Sequence, residues 1–189
     1  ISMSVSCVLS DGHAEISCIG IGLKAEPVRL SGINPGLRRV GELTFVGGFH
    51  LTSDSARFGG LSGLATLDDG NLLAVTDAGD FVWIDLARDG LTPVASRLSG
   101  MRQLSGGLFD QKSQGDAEGS AMLGGMAIVS FEGDHRVLAF DIGKCGAEAR
   151  GAPVNMRHGR TLERSFDLAG LGVGANAGAE ALAITRDGM

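Results

Sequence analysis

The stretch "AEGSAMLGGMAIVSFEGDHRVLAFDI", residues 117–142, decides the fold, because an earlier part of the chain repeats it. Residues 61–86, "LSGLATLDDGNLLAVTDAGDFVWIDL", run through the same succession. Each has a small-residue start, an apolar strand, a glycine turn, a second apolar strand, an acidic turn, a third strand and a closing aspartate. Ser62 and Glu118 align 56 residues apart, and so do Asp85 and Asp141. A third copy opens at "AEALAITRDGM", residues 179–189, where Glu180 aligns with Glu118 at a spacing of 62.

Within the copies, "NLLAVTD", "FVWIDL", "MAIVSFE" and "RVLAFDI" are short, rich in β-branched and aromatic residues, and bounded by Gly, Asp or Asn. Such segments predict strands. "LDDGN" and "TRDG" predict hairpin turns, because Asp and Gly tolerate the left-handed conformations those turns need. No window of 12 or more residues carries a helical stripe. A fourth candidate strand precedes each copy: "LTFVGGFHL" (43–51), "LTPVASRL" (91–98) and "TLERSFDL" (161–168). About four strands per repeat predict an all-β fold, an incomplete β-propeller of about two to three four-stranded blades. A β-sandwich is the other all-β solution, but it leaves the repetition without a reason. Closing a ring takes about four blades. The sequence is therefore expected to be part of a longer propeller, marginally stable alone because its end strands are unpaired.

Composition narrows the function classes. Of 189 residues, 31 are glycine and only 4 proline, with no G-X-Y period, as suits many short strands joined by tight turns. The net charge of −6 comes without a basic block, so nucleic acid is not an expected partner. No apolar run reaches the ~18 residues of a membrane span. The segment "ISMSVSCVLSDGHAE" (1–15) reads either as the remnant of an export signal, cleaved after Gly12-His13-Ala14, or as an ordinary first strand. On the first reading, residues 1–14 are signal, 15–189 form the domain, and the protein is periplasmic or secreted. Cys18 and Cys145 then remain, as one disulfide or as two unpaired thiols. No Cys/His cluster has zinc spacing.

The motifs "FGGLSGLATLDDGNLLAVTD" (58–77), "DAEGSAMLGGMAIVSFEGDHRVLAFD" (116–141) and "NAGAEALAITRDG" (176–188) resemble, in this order, those of the phytase-like domain, "esterase-like activity of phytase". The resemblance covers roughly residues 40–189. It implies an exported propeller hydrolase of phosphate or other esters, with a small-molecule ester substrate and Ca²⁺ as an expected cofactor. The chain departs from the calcium-dependent propeller phytases: "DAEGSAM" shares only its first residues with their D-A-x-D-D-P-A-x-W motif, and no N-N-V-D motif occurs. Phytate is therefore not carried over as substrate.

Repeat geometry supplies the candidate site. In a propeller the first strand of every blade lines the central channel, so Ser62, Glu118 and Glu180 are expected at one channel mouth. Asp116 adjoins Glu118, and Asn176 lies just upstream of Glu180. Asp77 and Glu132 occupy like positions after the second strand of each copy. Converging carboxylates repel one another unless a cation sits among them, and a set of hard oxygen ligands suits Ca²⁺. Asp116, Glu118, Glu180, Asp77 and Glu132 are the expected metal ligands, with Glu118 and Glu180 as catalytic residues. The alternative is that each acid is solvated separately or fixes its turn through glycine amides. Arg57 and Arg136, with His50 and His135, are candidate contacts for an anionic substrate. "GLSGL" (60–64) lacks the last glycine of a nucleophile elbow, which argues against Ser62 as nucleophile. "GVGANA" (172–177) fits a dinucleotide fingerprint without the βαβ unit or acidic partner it needs. The competing functional class is a non-catalytic propeller that binds a ligand or protein on its channel face.

Overall fold

The computed structural model describes residues 18–109, 111–133, 135–154 and 182–184. It is mainly antiparallel β. A fringe comes first: β1 (Ile19–Ile21), β2 (Leu23–Pro27), β3 (Arg39–Val40), β4 (Leu43–Thr44) and β5 (Phe49–Ser53). The first copy supplies β6 (Leu61–Thr66), β7 (Leu72–Thr76) and β8 (Asp80–Leu86), followed by β9 (Pro93–Gly100). A single helical turn, α1 (Lys112–Gly115), leads into β10 (Ala117–Leu123), β11 (Met126–Phe131) and β12 (Arg136–Phe140) of the second copy. A second short turn, α2 (Ile142–Cys145), and β13 (Ala152–Pro153) complete it. Hydrogen bonding joins β6 to β9 and β10 to β13 as two four-stranded meanders, with β1 added outside β9. Among the described residues, none of the sheets closes on itself.

The predicted "LDDGN" turn forms as its sequence requires, while "TRDG" (185–188) lies outside the described residues. Leu67 N–H donates to the Asn71 carbonyl and Gly70 N–H to the Leu67 carbonyl, closing the "LDDGN" hairpin at 2.8 and 2.9 Å. The second copy turns on Gly124 and Gly125, whose φ of 54° and 79° suit a two-residue loop open to glycine.

The copies are equivalent in hydrogen-bond detail. β6 bulges between Leu61 and Gly63, leaving Ser62 out of register. β10 bulges between Ala117 and Gly119, leaving Glu118 out of register. Asp77 N–H donates to the Gly60 carbonyl at 2.9 Å, and Glu132 N–H to the Asp116 carbonyl at 2.8 Å.

Strand alternation divides the core into layers. Leu73, Val75, Phe81 and Trp83 of the first sheet meet Ala127, Val129, Phe131, Leu138 and Phe140 of the second. The intervening residues Ala74, Val82, Ile84 and Leu98 face the other way, against Leu23 and Leu51 of the β2–β5 ribbon and Phe58. Ile128, Val137 and Ala139 cover the outer face of the second sheet, where Leu182 and Ile184 of the third copy pack. Each central strand is thus apolar on both faces, and burying side chains of this size gives about 1.5–3 kcal/mol apiece.

The inner strands β6 and β10 lie side by side without pairing. Gly63 makes this possible: a Cβ there would stand 2.7 Å from Ser120 Oγ, 2.8 Å from Ser120 N and 2.9 Å from Val75 Cγ2. Gly63→Val is therefore expected to cost about 1–3 kcal/mol by overpacking. A urea midpoint unchanged by Gly63→Val would contradict this close approach.

Three expectations need correction. "LTFVGGFHL" is two strands in two different ribbons, β4 paired with β3 and β5 with β2. The break falls at Gly47-Gly48, which have no side chains to pack on a sheet. "LTPVASRL" becomes β9 and bonds to β8, so it is the outer strand of the copy it follows, not of the one it precedes. The meander dictates this, since β9 follows β8 through the short turn at Gly90. Cys18 is a free thiol while Cys145 is disulfide-bonded, so these two do not form a pair. The segment "TLERSFDL", with Asn176 and Glu180, lies outside the described residues.

Candidate functional site

The bulge at Ala117–Gly119 takes Glu118 out of the ladder at the start of β10. Bulges commonly re-aim a side chain in this way. Asp116 immediately precedes that strand, at the end of α1. Glu132 follows β11, and its backbone hydrogen bond to Asp116 fixes the two segments together. The outcome is a trio of half-buried carboxylates, Asp116, Glu118 and Glu132, offering ligand oxygens within 4.8 Å of one another.

Calcium binds oxygens at 2.3–2.6 Å, so two ligands of one ion stand at most about 5 Å apart. The trio fits that limit, and its donors are all hard carboxylate oxygens.

The first copy does not duplicate this cluster. Its equivalents of Asp116, Glu118 and Glu132 are Gly60, Ser62 and Asp77, leaving one acid. Ser62 Oγ donates to the Gly60 carbonyl at 3.2 Å. Asp77 is joined to the trio through Lys112, whose Nζ lies 3.7 Å from Asp77 Oδ2 and 3.5 Å from Asp116 Oδ1. The two carboxylates hold the exposed Lys112 ammonium in its charged form, above its ordinary pKa, with Asp116 the stronger influence. Lys112 escaped the sequence reading, although its i,i+4 spacing from Asp116 is the signal that finds such pairs.

The two arginines expected to meet substrate have partners within the fold. Arg57 forms a forked ion pair with the buried Asp80 carboxylate. Arg136 donates to the Gln114 carbonyl, and its guanidinium carbon lies 4.4 Å from the Phe131 ring centroid and 5.1 Å from that of Phe109. Burial lowers the pKa of Arg136. His135 is buried, with φ of 47° at the position where the first copy has Gly79, and its Nδ1 has no hydrogen-bond partner. His50 is exposed on β5.

Burial pushes the Asp80 carboxyl above its ordinary value of 3.8, against the downward pull of Arg57. A raised folded-state value means the native chain holds that proton more tightly than the unfolded chain. Asp80 therefore costs stability as pH rises from 3.8 through the raised value, and the cost is constant above it. The stability of Asp80→Asn relative to wild type is expected to improve across that same interval, read by urea unfolding at a series of pH values. A difference independent of pH there would refute the assignment.

Repeated antiparallel meanders with a three-carboxylate cluster at the start of one inner strand define an all-β repeat protein with a cation-compatible acidic site. The chain belongs to the phytase-like family, described as "esterase-like activity of phytase", whose model matches residues 56–189. No curated protein and no solved structure matches it. Among the described residues, no helix is long and apolar enough to cross a membrane.

Proposed function

We propose that the chain is part of a β-propeller ester hydrolase, acting on a phosphate or other small-molecule ester, that holds Ca²⁺ at Asp116, Glu118 and Glu132. The observation that carries this reading is the convergence of the three carboxylates within 4.8 Å, in a chain whose family is described by esterase-like activity. Propeller architecture is supported by two equivalent four-stranded sheets stacked face to face, with Leu182 and Ile184 of the third copy against the next face.

When bound, calcium supplies a Lewis acid for a phosphoryl or carbonyl oxygen. The chain's own residues set up the surroundings. The Asp116–Glu132 backbone bond fixes the ligand spacing. Lys112 places a positive charge beside Asp116, at the edge where an anionic ester would approach. Asp77, tied to Lys112, holds that ammonium in place from the first sheet.

The test pairs calcium-dependent stability with turnover. Calcium at 100 times its Kd is expected to stabilise the chain by about 2.7 kcal/mol, seen as a rise in Tm that a chelator reverses. Hydrolysis of p-nitrophenyl phosphate or p-nitrophenyl acetate should rise with it. A calcium-dependent Tm without turnover of either ester would favour the non-catalytic binding module. Absence of both responses would sink the reading.

A further inference from the structure

Away from the acidic trio, the two sheets meet at a second seam. Arg102, just beyond β9, forms a parallel bridge with Arg150, just before β13, and its carbonyl accepts from Gly151 N–H at 2.8 Å. This pairing sets two arginines side by side, one from each sheet. A carboxylate, Glu148, engages only the first of them. Glu148 takes Arg102, with Nε at 3.2 Å and Nη2 at 3.4 Å, and Arg102 Nη1 donates to the Gly106 carbonyl at 3.1 Å.

Arg150 has no such partner: no carboxylate or carbonyl pairs with its side chain among the described residues. Yet it is not extended into water. It is half-buried, and its guanidinium lies against Gly106. A Cβ at Gly106 would stand 3.0 Å from Arg150 Cζ and Nη2 and 3.3 Å from Nε. Near-equal distances to three guanidinium atoms mean that the planar group offers its face to the loop. Gly106, at φ 98°, can take that conformation and leave that space because it has no side chain. The loop is held in shape by Gln103 N–H to the Gly107 carbonyl at 2.7 Å and Gln103 Nε2 to the Leu108 carbonyl at 2.9 Å.

The Arg150 guanidinium thus has one face against the loop and no described carboxylate beside it. With its face covered, its N–H groups remain in the plane of the fork, the arrangement that pairs with two oxygens of a carboxylate or phosphate. We propose that Arg150, packed under Gly106 and backed by Arg102, is a subsite for a small oxyanion. The shared ligand chemistry is a pair of oxygens on one carbon or phosphorus. This site shares no residue with the acidic trio and does not depend on the calcium reading.

Titration of the chain with inorganic phosphate, in chelator and at constant ionic strength set with chloride, tests it. Phosphate should raise Tm saturably. Arg150→Gln should weaken the phosphate response about tenfold or more, the loss of one charge-assisted fork. Arg150→Lys should keep only part of it, because an ammonium has no planar fork. Glu148→Gln should strengthen it by releasing Arg102 from its carboxylate, a change opposite in sign to anything a damaged fold would give. A matched titration with acetate separates the sources: response to both anions assigns any planar oxygen pair, and response to phosphate alone assigns phosphoryl oxygens. Lys24→Gln, which removes an exposed cation paired with Glu26, should leave all of these responses unchanged. An equal phosphate response in wild type and Arg150→Gln, or one no larger than that of chloride, would overturn the proposal.

Discussion

Replacing Glu132 or Glu118 with glutamine is expected to lower ester hydrolysis about 100-fold or more and to abolish most of the calcium-dependent rise in Tm. Glutamine keeps the size and one carbonyl oxygen but removes a charge from a cluster that has only three acids. Calcium affinity follows the charge count of its ligands closely. The two substitutions should act alike, since each removes one of three oxygens that the bulge and the Asp116–Glu132 backbone bond bring together. Lys112→Gln supplies the opposite sign. It removes a positive charge 3.5 Å from Asp116 Oδ1, and should tighten calcium binding by about two- to fivefold, an effect that salt screens. Calorimetric titration reads both. Turnover lost in Glu118→Gln at unchanged calcium affinity would make that residue a proton-transfer group instead of a ligand. If neither carboxylate changes anything, the trio only shapes its turn.

The second large effect is on stability. Phe140→Ala is expected to destabilise the chain by about 3–5 kcal/mol. Phe140 is 0% exposed and meets the Phe81 ring edge-on, with centroids 5.1 Å apart and planes at 87°. The pair spans the two sheets, one ring from each. The ring is also confined at its tip, where a Cβ on Gly151 would stand 2.8 Å from Phe140 Cζ, so a smaller side chain leaves a cavity that close neighbours cannot simply collapse into. Phe140→Leu should lose much less. Urea unfolding measures both, and a Phe140→Ala loss under about 1 kcal/mol would contradict the coupling of the sheets through this contact.

The strands were legible because their burial is two-sided. "LLAVT" and "MAIVSF" read as nearly continuous apolar runs, and the structure buries alternate residues against different layers. The repeat was legible for a related reason. Both copies carry a glycine after the bulge, Gly63 and Gly119, and an acid after the second strand, Asp77 and Glu132. Three of the expected metal residues, Asp116, Glu118 and Glu132, therefore converge, while Asp77 is reached only through Lys112. Sequence could not show the partners of Arg57 and Arg136. Asp80 and Phe109 are far from them in sequence, and Phe131 meets Arg136 as its cross-strand neighbour in the β11–β12 hairpin, a register that spacing alone does not fix. The split at Gly47-Gly48 was missed because apolar residues flank it on both sides and mask the break.

The seam between β6 and β10 has a consequence for how damage spreads. The inner strands touch through Gly63 and Ser120 but share no ladder. Each sheet is hydrogen-bonded within itself, and neighbouring layers are joined mostly by side chains. Stability then behaves as a chain of nearest-neighbour couplings, an intrinsic quantity for each copy plus one for each junction. A substitution at Phe81 is felt by the second sheet it touches, but reaches Leu182 and Ile184 only through that sheet. Successive copies can drift in sequence almost independently, provided that each preserves the surface it shows to the next. The two copies differ in this way: one holds three clustered acids where its neighbour has Gly60, Ser62 and Asp77.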